Sequence, residues 1–489
     1  MEEKNINDLM SNATFVNDRN ALFITYNNLT MANIMPTQDL TIDCANNKLG
    51  TDITIVCLED RIVTYGGKRT NVSAGKTAVL KCGGKKMVGD VEVLVADRGE
   101  EEEIASYLTF SSAEPFTLGV VDNQKYWDGT LEYSTDTSTW NEWDGTYAIS
   151  SSADGKLYMR GAGNTYITGP DAYLDAVGWT LTGNNIACSG NIETLLDYMS
   201  VERGEHPIME ESCYSYMFNN CSSLTTAPEL HATTLAYGCY YGMFSGCTSL
   251  TTAPELPATT LADSCYSYMF NCCSSLTTAP ELPATTLAYS CYYGMFAGCT
   301  SLTTAPELPA TTLADSCYSY MFEGCTSLTT APELHATTLA YGCYYGMFSG
   351  CTSLTTAPEL PATTLADSCY SYMFRGCTSL TTAPELPATT LADSCYGGMF
   401  RGCTSLTTAP ELPATTLASY CYDSMFYDCT NIKMSQTKTG TYQTAYRIPT
   451  SGTGTTATYA LNNMFKNTGG TFTGTPTINT TYYTSNIVV

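Results

Sequence analysis

The chain has 489 residues, of which 44% are apolar, and it carries a formal net charge of −26 with only 21 lysine and arginine residues. This length predicts several folding units with a substantial core. Binding to a phosphate backbone needs clustered cations, so nucleic acid is not an expected partner. No stretch approaches the ~20 consecutive apolar residues of a membrane-spanning helix, so membrane insertion is not expected either.

The amino terminus, MEEKNINDLMSNATF, is acidic and lacks the basic and apolar segments of a secretory signal. From this we expect a protein that stays in the cytoplasm, or that leaves it by cell lysis or as part of an assembled particle.

Residues 1–96 alternate apolar and polar side chains between glycine-rich turns, which predicts a small β-rich domain. The domain holds about half of the basic residues of the chain. Residues 97–106 contain the charge run DRGEEEE and are the predicted linker.

A second β-rich unit, predicted to be sandwich-like, covers residues 107–182, where Asp-Gly pairs supply turns. Trp127, Trp140 and Trp143 lie here and are either a stacking platform for a sugar or, as we favour, large core residues. Residues 183–212 are the predicted amino-terminal cap of the array that follows.

From residue 213 a 26-residue sequence recurs with small changes, as in SCYSYMFEGCTSLTTAPELHATTLAY. Cysteines mark it in two columns. The first column is Cys213, Cys239, Cys265, Cys291, Cys317, Cys343, Cys369, Cys395 and Cys421, and the second is Cys221, Cys247, Cys273, Cys299, Cys325, Cys351, Cys377, Cys403 and Cys429. A fixed period of this length predicts a solenoid of about nine stacked repeats over residues 213–430. Residues 431–489 are the predicted degenerate repeat, marked by Met464, and the carboxy-terminal cap.

Within one repeat, Cys317, Met321 and Cys325 are spaced i, i+4 and i+8, which predicts one buried face of a helix or helical turn. Gly324 stands where a helix end favours positive φ. The following LTTAPEL predicts a short strand that ends at proline. The predicted fold is therefore multidomain: amino-terminal all-β domains followed by an α/β solenoid, which the resemblance described below implies to be of the leucine-rich-repeat type.

The cysteine columns are predicted to be buried thiols that act as small apolar side chains. Two cysteines of one repeat would lie roughly 12 Å apart along a helix, which is too far for a disulfide. Zinc is disfavoured because the repeats lack Cys-x-x-Cys pairs and the chain has three histidines. Disulfides between successive repeats stay open, and we expect no metal and no cofactor.

Three further columns are candidates for function. A tyrosine follows each cysteine of the first column and is either a binding ridge or packing between repeats, at Tyr214, Tyr240, Tyr266, Tyr292, Tyr318, Tyr344, Tyr370, Tyr396 and Tyr422. The residue after Met-Phe varies from repeat to repeat, which predicts a surface position. This position either tolerates substitution or is tuned for recognition, and its most distinctive members are Glu323, Arg375, Arg401 and Tyr427. A glutamate column from Glu229 to Glu411 predicts a solvated edge rather than a calcium site.

The recurring phrase MF-x-G-C-T-S-L-T with its following proline resembles the BspA-like leucine-rich repeats of bacterial surface proteins and of proteins encoded by gut-bacterial phages. The resemblance covers about residues 213–429. TLEYSTDTSTWNEWDG and KTAVLKCGGKKMVGDVEVLV are similar to modules of phage-associated proteins.

The resemblance implies a structural and binding protein without a catalytic site, since nine equivalent units offer no single differentiated constellation. Our leading hypothesis is a phage virion appendage, such as a head fibre, decoration or tail-associated protein, whose solenoid binds a host-surface glycan or protein. The alternatives are a bacterial cell-surface adhesin and a cytoplasmic interaction scaffold, and a homo-oligomer is compatible with each. Five residues are the predicted anchors to other virion proteins: Lys68, Arg69, Lys81, Lys85 and Lys86.

Overall fold

The computed structural model describes residues 107–169, 178–448, 457–478 and 480–485, together with the backbone of eight strands between residues 14 and 95. The chain divides into two compact units, Met1–Ile104 and Ala105–Val489. The linker predicted at 97–106 lies outside the described residues.

The first unit contains two four-stranded sheets. One has the order β1-β3-β5-β6 and the other β2-β4-β7-β8, and each mixes parallel and antiparallel neighbours. The strands are β1 Thr14–Phe15, β2 Met31–Ile34, β3 Leu40–Asp43, β4 Asp52–Val56, β5 Arg61–Tyr65, β6 Lys68–Val72, β7 Thr77–Lys81 and β8 Glu92–Val95.

The second unit begins with two sheets, of which one has the order β13-β10-β15 and the other β12-β11-β14-β9-β16-β17. The rings of Trp143 and Trp179 join them with centroids 5.6 Å apart. The strands are β9 Leu108–Ser111, β10 Thr117–Val120, β11 Thr130–Ser134, β12 Asn141–Trp143, β13 Ile149–Ser150, β14 Lys156–Ala162, β15 Trp179–Thr182, β16 Ile186–Ser189 and β17 Leu224–Thr226.

The six-stranded sheet continues into the array. Strand β17 belongs to the first repeat and pairs in parallel with β16. The core is continuous as well, because Trp179 and Phe110 both contact Phe218 of the first repeat, with centroids 6.1 Å apart in each case. The segment 107–182 thus shares one sheet and one core with the array. Between them lies helix α1, Thr194–Glu202.

The repeat backbone is a chain of turns with a period of four residues. Ser316, Tyr320 and Gly324 have φ values of 55°, 55° and 70°. Backbone N–H groups between these residues donate either to the next repeat or within the same turn. The Tyr318 N–H donates to Cys343 O of the next repeat at 3.0 Å, whereas the Met321 N–H donates to Tyr318 O at 3.3 Å. Residues 213–448, all of which the structure describes, contain no helix.

The helical turn predicted for Cys317, Met321 and Cys325 is therefore wrong, although all three side chains are fully buried. A left-handed residue at every fourth position gives the same i, i+4, i+8 spacing as a helix face. Gly324 has the predicted positive φ, but it belongs to this run of turns.

Two aromatic stacks form the core of the array. Phenylalanine rings from Phe218 to Phe465 stack on their neighbours with centroids 5.6–5.8 Å apart and planes within 9°. The tyrosines after the first cysteine column form the second stack. Each repeat buries part of its apolar surface only against the next, which is the energetic basis of stacking.

The LTTAPEL segments run beside one another in successive repeats. After β17 they are joined by isolated parallel bridges between threonines, such as Thr252 with Thr278 and Thr260 with Thr286. Leu328 and Leu334 of this segment are buried, while the neighbouring threonines are exposed.

The array continues past residue 430 into a last turn and a small sheet. Met464 and Phe465 extend the core columns, since Phe426 N donates to Met464 O at 3.0 Å. The sheet has the order β19-β21-β18-β20, with β18 Lys433–Ser435, β19 Tyr442–Arg447, β20 Gly469–Gly470 and β21 Thr481–Ser485.

Candidate interaction surface

The nine tyrosines considered for an exposed binding ridge are buried. Their side chains are at most 2% exposed, and successive rings stack with centroids 5.6–5.9 Å apart. The residues are Tyr214, Tyr240, Tyr266, Tyr292, Tyr318, Tyr344, Tyr370, Tyr396 and Tyr422. Each follows a buried cysteine in an inward-facing pair, so the ring enters the core. Packing between repeats, one of the two alternatives, is confirmed for this column, and an exposed binding ridge is contradicted.

A second set of seven tyrosines lies toward the surface, and we call it the tyrosine ribbon. Neighbouring rings meet edge to face, with centroids 5.1–5.7 Å apart and interplanar angles of 60–66°. All but the more buried Tyr241 are half-buried. The members are Tyr216, Tyr241, Tyr268, Tyr293, Tyr320, Tyr345 and Tyr372.

Neighbouring tyrosines of the ribbon are partly buried and form hydrogen bonds with one another. Burial, followed by a side-chain hydrogen bond to Tyr293, raises the pKa of the Tyr268 hydroxyl well above its usual range. Burial and a hydrogen bond to Tyr345 do the same for Tyr320. These two hydroxyl groups are therefore uncharged at neutral pH, and the ribbon presents ring edges and hydroxyl groups.

Glycines in alternate repeats make room for the ribbon. Tyr216 has a φ of 53°, and its ring covers Gly242 of the next repeat so closely that a Cβ there would lie 2.6 Å from the ring. Gly294, Gly346 and Gly398 are covered in the same way. Tyrosine and glycine must alternate at this position because two rings cannot occupy it in adjacent repeats.

An outer column, whose tyrosines lie four residues and whose aspartates five residues before a ribbon tyrosine, alternates between the two residue types from Tyr237 to Asp367. Tyr289 and Tyr341 are 54% and 57% exposed. The Oδ1 atom of Asp263 accepts a hydrogen bond from the Tyr289 N–H at 3.0 Å, and Asp315 accepts one from the Tyr341 N–H at 2.9 Å. The column consists of Tyr237, Asp263, Tyr289, Asp315, Tyr341, Asp367 and Asp393.

The variable position after Met-Phe forms a third column on the other side of the ribbon. Arg375 is exposed, and its guanidinium lies 5.8 Å from the Tyr372 ring centroid. Glu323, Arg401 and Tyr427 are half-buried. Arg401 lies 4.6 Å from the Tyr427 ring.

Burial raises the pKa of the Glu323 carboxyl, and the charge of Arg375 partly opposes this shift. In the same column Ala297 and Ser349 are buried, so the position is only partly exposed, and its exposure differs from one repeat to the next.

The three columns share one side of the array, and we call them together the tyrosine face. Tyr289, Tyr293 and Ala297 are spaced by four, the period of the backbone, and the core pairs Cys291 with Tyr292 and Met295 with Phe296 point inward between them. Two inward residues thus alternate with two outward ones.

The glutamate column is exposed at every repeat, from Glu229 to Glu411. Among the residues that the structure describes, no group of carboxylates, histidines and cysteines has the arrangement to hold a metal ion. Glu229 contacts His231 at 3.0 Å, and this hydrogen bond lowers the pKa of the carboxyl and raises that of the imidazole.

Both cysteine columns consist of free, buried thiols, which confirms their structural role. From Cys247 to Cys429 each thiol of the second column donates to a phenylalanine carbonyl of the preceding repeat, as Cys351 Sγ does to Phe322 O at 3.1 Å, whereas Cys221 Sγ donates to Trp179 O at 3.2 Å. Cys272 is exposed, unlike the other cysteines that the structure describes.

Two of the three tryptophans of segment 107–182 are core residues, and the third lies nearer the surface. Trp127 and Trp143 are buried core residues with centroids 5.2 Å apart. Trp140 is half-buried, and its ring is covered by the Arg160 guanidinium at 4.1 Å.

Of the predicted anchoring residues, Lys68 and Arg69 lie on β6 and Lys81 ends β7. Lys85 and Lys86 lie outside the described residues.

Comparison with protein families decides the class of the array. The family model of the BspA type leucine rich repeat region matches residues 211–346 and 336–448, in six copies. The chain carries a BspA-type leucine-rich-repeat region. This BspA-type region includes the whole tyrosine face, and the sequence resemblance is confirmed. No curated protein and no solved structure gives a significant match to the chain.

BspA-type repeats are typical of surface adhesins and protein-interaction repeat proteins, and they fit a surface-exposed protein. No helix in the part of the chain that the structure describes has the length and hydropathy to cross a bilayer.

Proposed function

We propose that the protein is a non-catalytic binding protein, in which the BspA-type repeats form a solenoid of about nine 26-residue coils and present the tyrosine face to a partner. One observation carries this proposal: the core columns are the same in every repeat, whereas the outward residues beside the tyrosine ribbon differ. A partly exposed row of rigid amphipathic rings is a good contact surface because tyrosine loses little conformational entropy on binding.

The absence of a catalytic role is part of the proposal. The polar groups of the tyrosine face recur from repeat to repeat, and no repeat stands out with a nucleophile, a base and an orienting group together.

Two locations are compatible with this function. The virion appendage is supported by the sequence resemblance of the segments before the array to phage-associated modules and by the basic residues Lys68, Arg69 and Lys81 of the first unit. The bacterial surface adhesin is supported by the typical use of BspA-type repeats. Immunogold electron microscopy with antibody to the array separates them: gold on phage particles supports the virion, whereas gold on cell envelopes with bare particles contradicts it.

The role of the tyrosine face is tested with the variant Tyr289→Ala/Tyr341→Ala. Both side chains are more than half exposed, so folding should be unaffected. Binding of the purified full chain to intact host cells should fall at least tenfold. Tyr147→Ala removes a 47% exposed tyrosine outside the array and serves as the matched control. Equal binding by all three proteins would contradict the proposal.

A further inference from the structure

The tyrosine face repeats with twice the period of the core. Core residues recur every 26 residues, but the outer column alternates tyrosine and aspartate from Tyr237 to Asp367, and the position of Tyr216 alternates tyrosine and glycine. Tyr289 and Tyr341 are therefore two coils apart, and because the neighbouring core tyrosines of successive repeats have ring centroids 5.8 and 5.9 Å apart, the two are separated by roughly twice that distance. A ligand that uses equivalent contacts along this face needs the same period.

The part of the face in which the residue types alternate is also acidic. On this face the acidic residues before Arg375 are Asp263, Asp315, Glu323 and Asp367, and no lysine or arginine occurs between Cys213 and Arg375. The first four members of the variable column, Asn219 to Ala297, are uncharged and the fifth is Glu323. Cations begin only at Arg375 and continue with Arg401 and Lys466, so the acidic section extends from Tyr237 to Asp367.

We propose that this acidic section binds a basic segment of a partner protein in the polyproline II conformation. The inference rests on the proposed function and names the chemistry of the partner. A polyproline II helix has three residues per turn and rises ~9.3 Å per turn, so every third side chain faces the same side at a spacing shorter than two coils but closer to it than that of a β-strand. In a β-strand, by contrast, the side chains of one face recur every ~7 Å.

The contacts follow from the two alternating residue types. Tyrosine rings receive proline rings and the stems of cationic side chains, as in other aromatic surfaces that recognise this helix. Asp315 lies between the exposed Tyr289 and Tyr341, Asp367 follows Tyr341, and each uses one carboxylate oxygen for a backbone N–H of the next repeat. Their exposed second oxygen can accept from a lysine or arginine of the ligand.

The test uses the full chain and the labelled peptide (Pro-Pro-Lys)4, with binding followed by fluorescence anisotropy. We expect micromolar affinity that falls more than tenfold between 50 and 500 mM salt. (Gly-Ser-Lys)4 has the same charge without the conformation and should bind at least tenfold more weakly, and (Pro-Pro-Glu)4 should not bind.

Paired variants separate the face from general charge. Asp315→Asn/Asp367→Asn keeps an oxygen for the backbone N–H groups and should weaken binding of (Pro-Pro-Lys)4 at least tenfold. Glu307→Gln/Glu359→Gln makes the same change of charge on the exposed glutamate column and should change binding less than threefold.

Three results would overturn the inference: no binding of (Pro-Pro-Lys)4, equal binding of the two lysine peptides, or equal effects of the two charge variants. In these cases the host-cell assay with Tyr289→Ala/Tyr341→Ala still decides the proposed function. A loss there would then indicate a partner of another class, such as a glycan.

Discussion

The thiol of Cys325 donates a hydrogen bond to the carbonyl oxygen of Phe296 in the preceding repeat, at 3.1 Å. The same contact recurs from Cys247 with Phe218 to Cys429 with Phe400. The second cysteine column is therefore more than a set of small apolar side chains, because each thiol links two repeats through a buried carbonyl.

Cys325→Ala should lower the free energy of unfolding by about 1–2 kcal/mol, because it removes this hydrogen bond and leaves a small cavity. The Phe296 carbonyl keeps its bond from the Cys299 N–H, which limits the loss. Cys325→Ser retains a donor and should lose less, and Thr326→Ala at the exposed neighbouring position should change stability by under about 0.5 kcal/mol. Urea unfolding measures all three, and an alanine variant as stable as the parent would contradict the role of the thiol.

Gly346→Ala should be clearly more destabilising than Gly324→Ala. Both glycines have positive φ, so both variants carry a cost of about 1–2 kcal/mol for a left-handed alanine. At Gly346 the new Cβ would also lie 2.8 Å from the Tyr320 ring, whereas at Gly324 the nearest atom is 3.8 Å away.

The steric part of this cost is measured by a double-mutant cycle. Tyr320→Ala removes the ring and should recover part of the loss caused by Gly346→Ala, so the two changes should not be additive. Additive effects on the unfolding free energy would show that the ring does not restrict this glycine.

Cys272 should be the first cysteine of the array to react with iodoacetamide under native conditions, since it is exposed and the two columns are buried. Peptide mapping by mass spectrometry restricts the measurement to the array and leaves Cys44, Cys57 and Cys82 aside. Labelling of column cysteines at the same rate would contradict their burial.

Cys272→Gly should abolish the fast labelling and raise the unfolding free energy by up to about 1 kcal/mol. Cys272 has a φ of 59°, and six other repeats have glycine at the equivalent position. Differential scanning calorimetry compares the two proteins, and a lower melting temperature for the variant would contradict the expectation.

Alkaline pH should destabilise the array. Burial raises the pKa of the Cys325 and Cys343 thiols to about 12, whereas an unfolded cysteine ionises near ~8.5. The unfolded state therefore releases protons first as pH rises. The contribution of each thiol is fully present below ~8.5 and is lost by up to about 1.4 kcal/mol per pH unit until the folded pKa is reached.

Urea unfolding at pH 7.5 and pH 10 tests this dependence. The midpoint should be clearly lower at pH 10, and the effect should be reversed on return to pH 7.5. A flat stability profile between pH 8 and pH 10 would show that the thiols are not desolvated in the folded state.

Much of the array could be predicted from the sequence because its period is explicit. The columns of Cys317 and Cys325 were expected in the core and lie there, since small apolar residues at a fixed position in every copy have few alternatives. The family of the repeat also follows from the recurring Phe-x-Gly-Cys-x-x-Leu pattern.

The helix was predicted wrongly, and the first tyrosine column stayed open between a ridge and core packing, for a common physical reason. Buried side chains at every fourth residue are compatible with one face of a helix and with a run of four-residue turns. Only the backbone conformation distinguishes these two structures. Gly238, Gly242 and Gly246 carried the missing signal, because glycines repeated at four-residue intervals fit left-handed turns and weaken a helix. Turns of this kind direct Tyr240 inward and Tyr241 toward the ribbon.

The fit of Tyr216 over Gly242 restricts how the array can change in length. Removing or adding a single 26-residue unit within the alternating section would bring two tyrosines, or two glycines, into neighbouring positions and would create a clash or a gap. A change of 52 residues would leave every junction as it is. This surface should therefore lengthen or shorten by pairs of repeats. A partner that binds along it would then find the same alternation of residues over a longer or shorter distance.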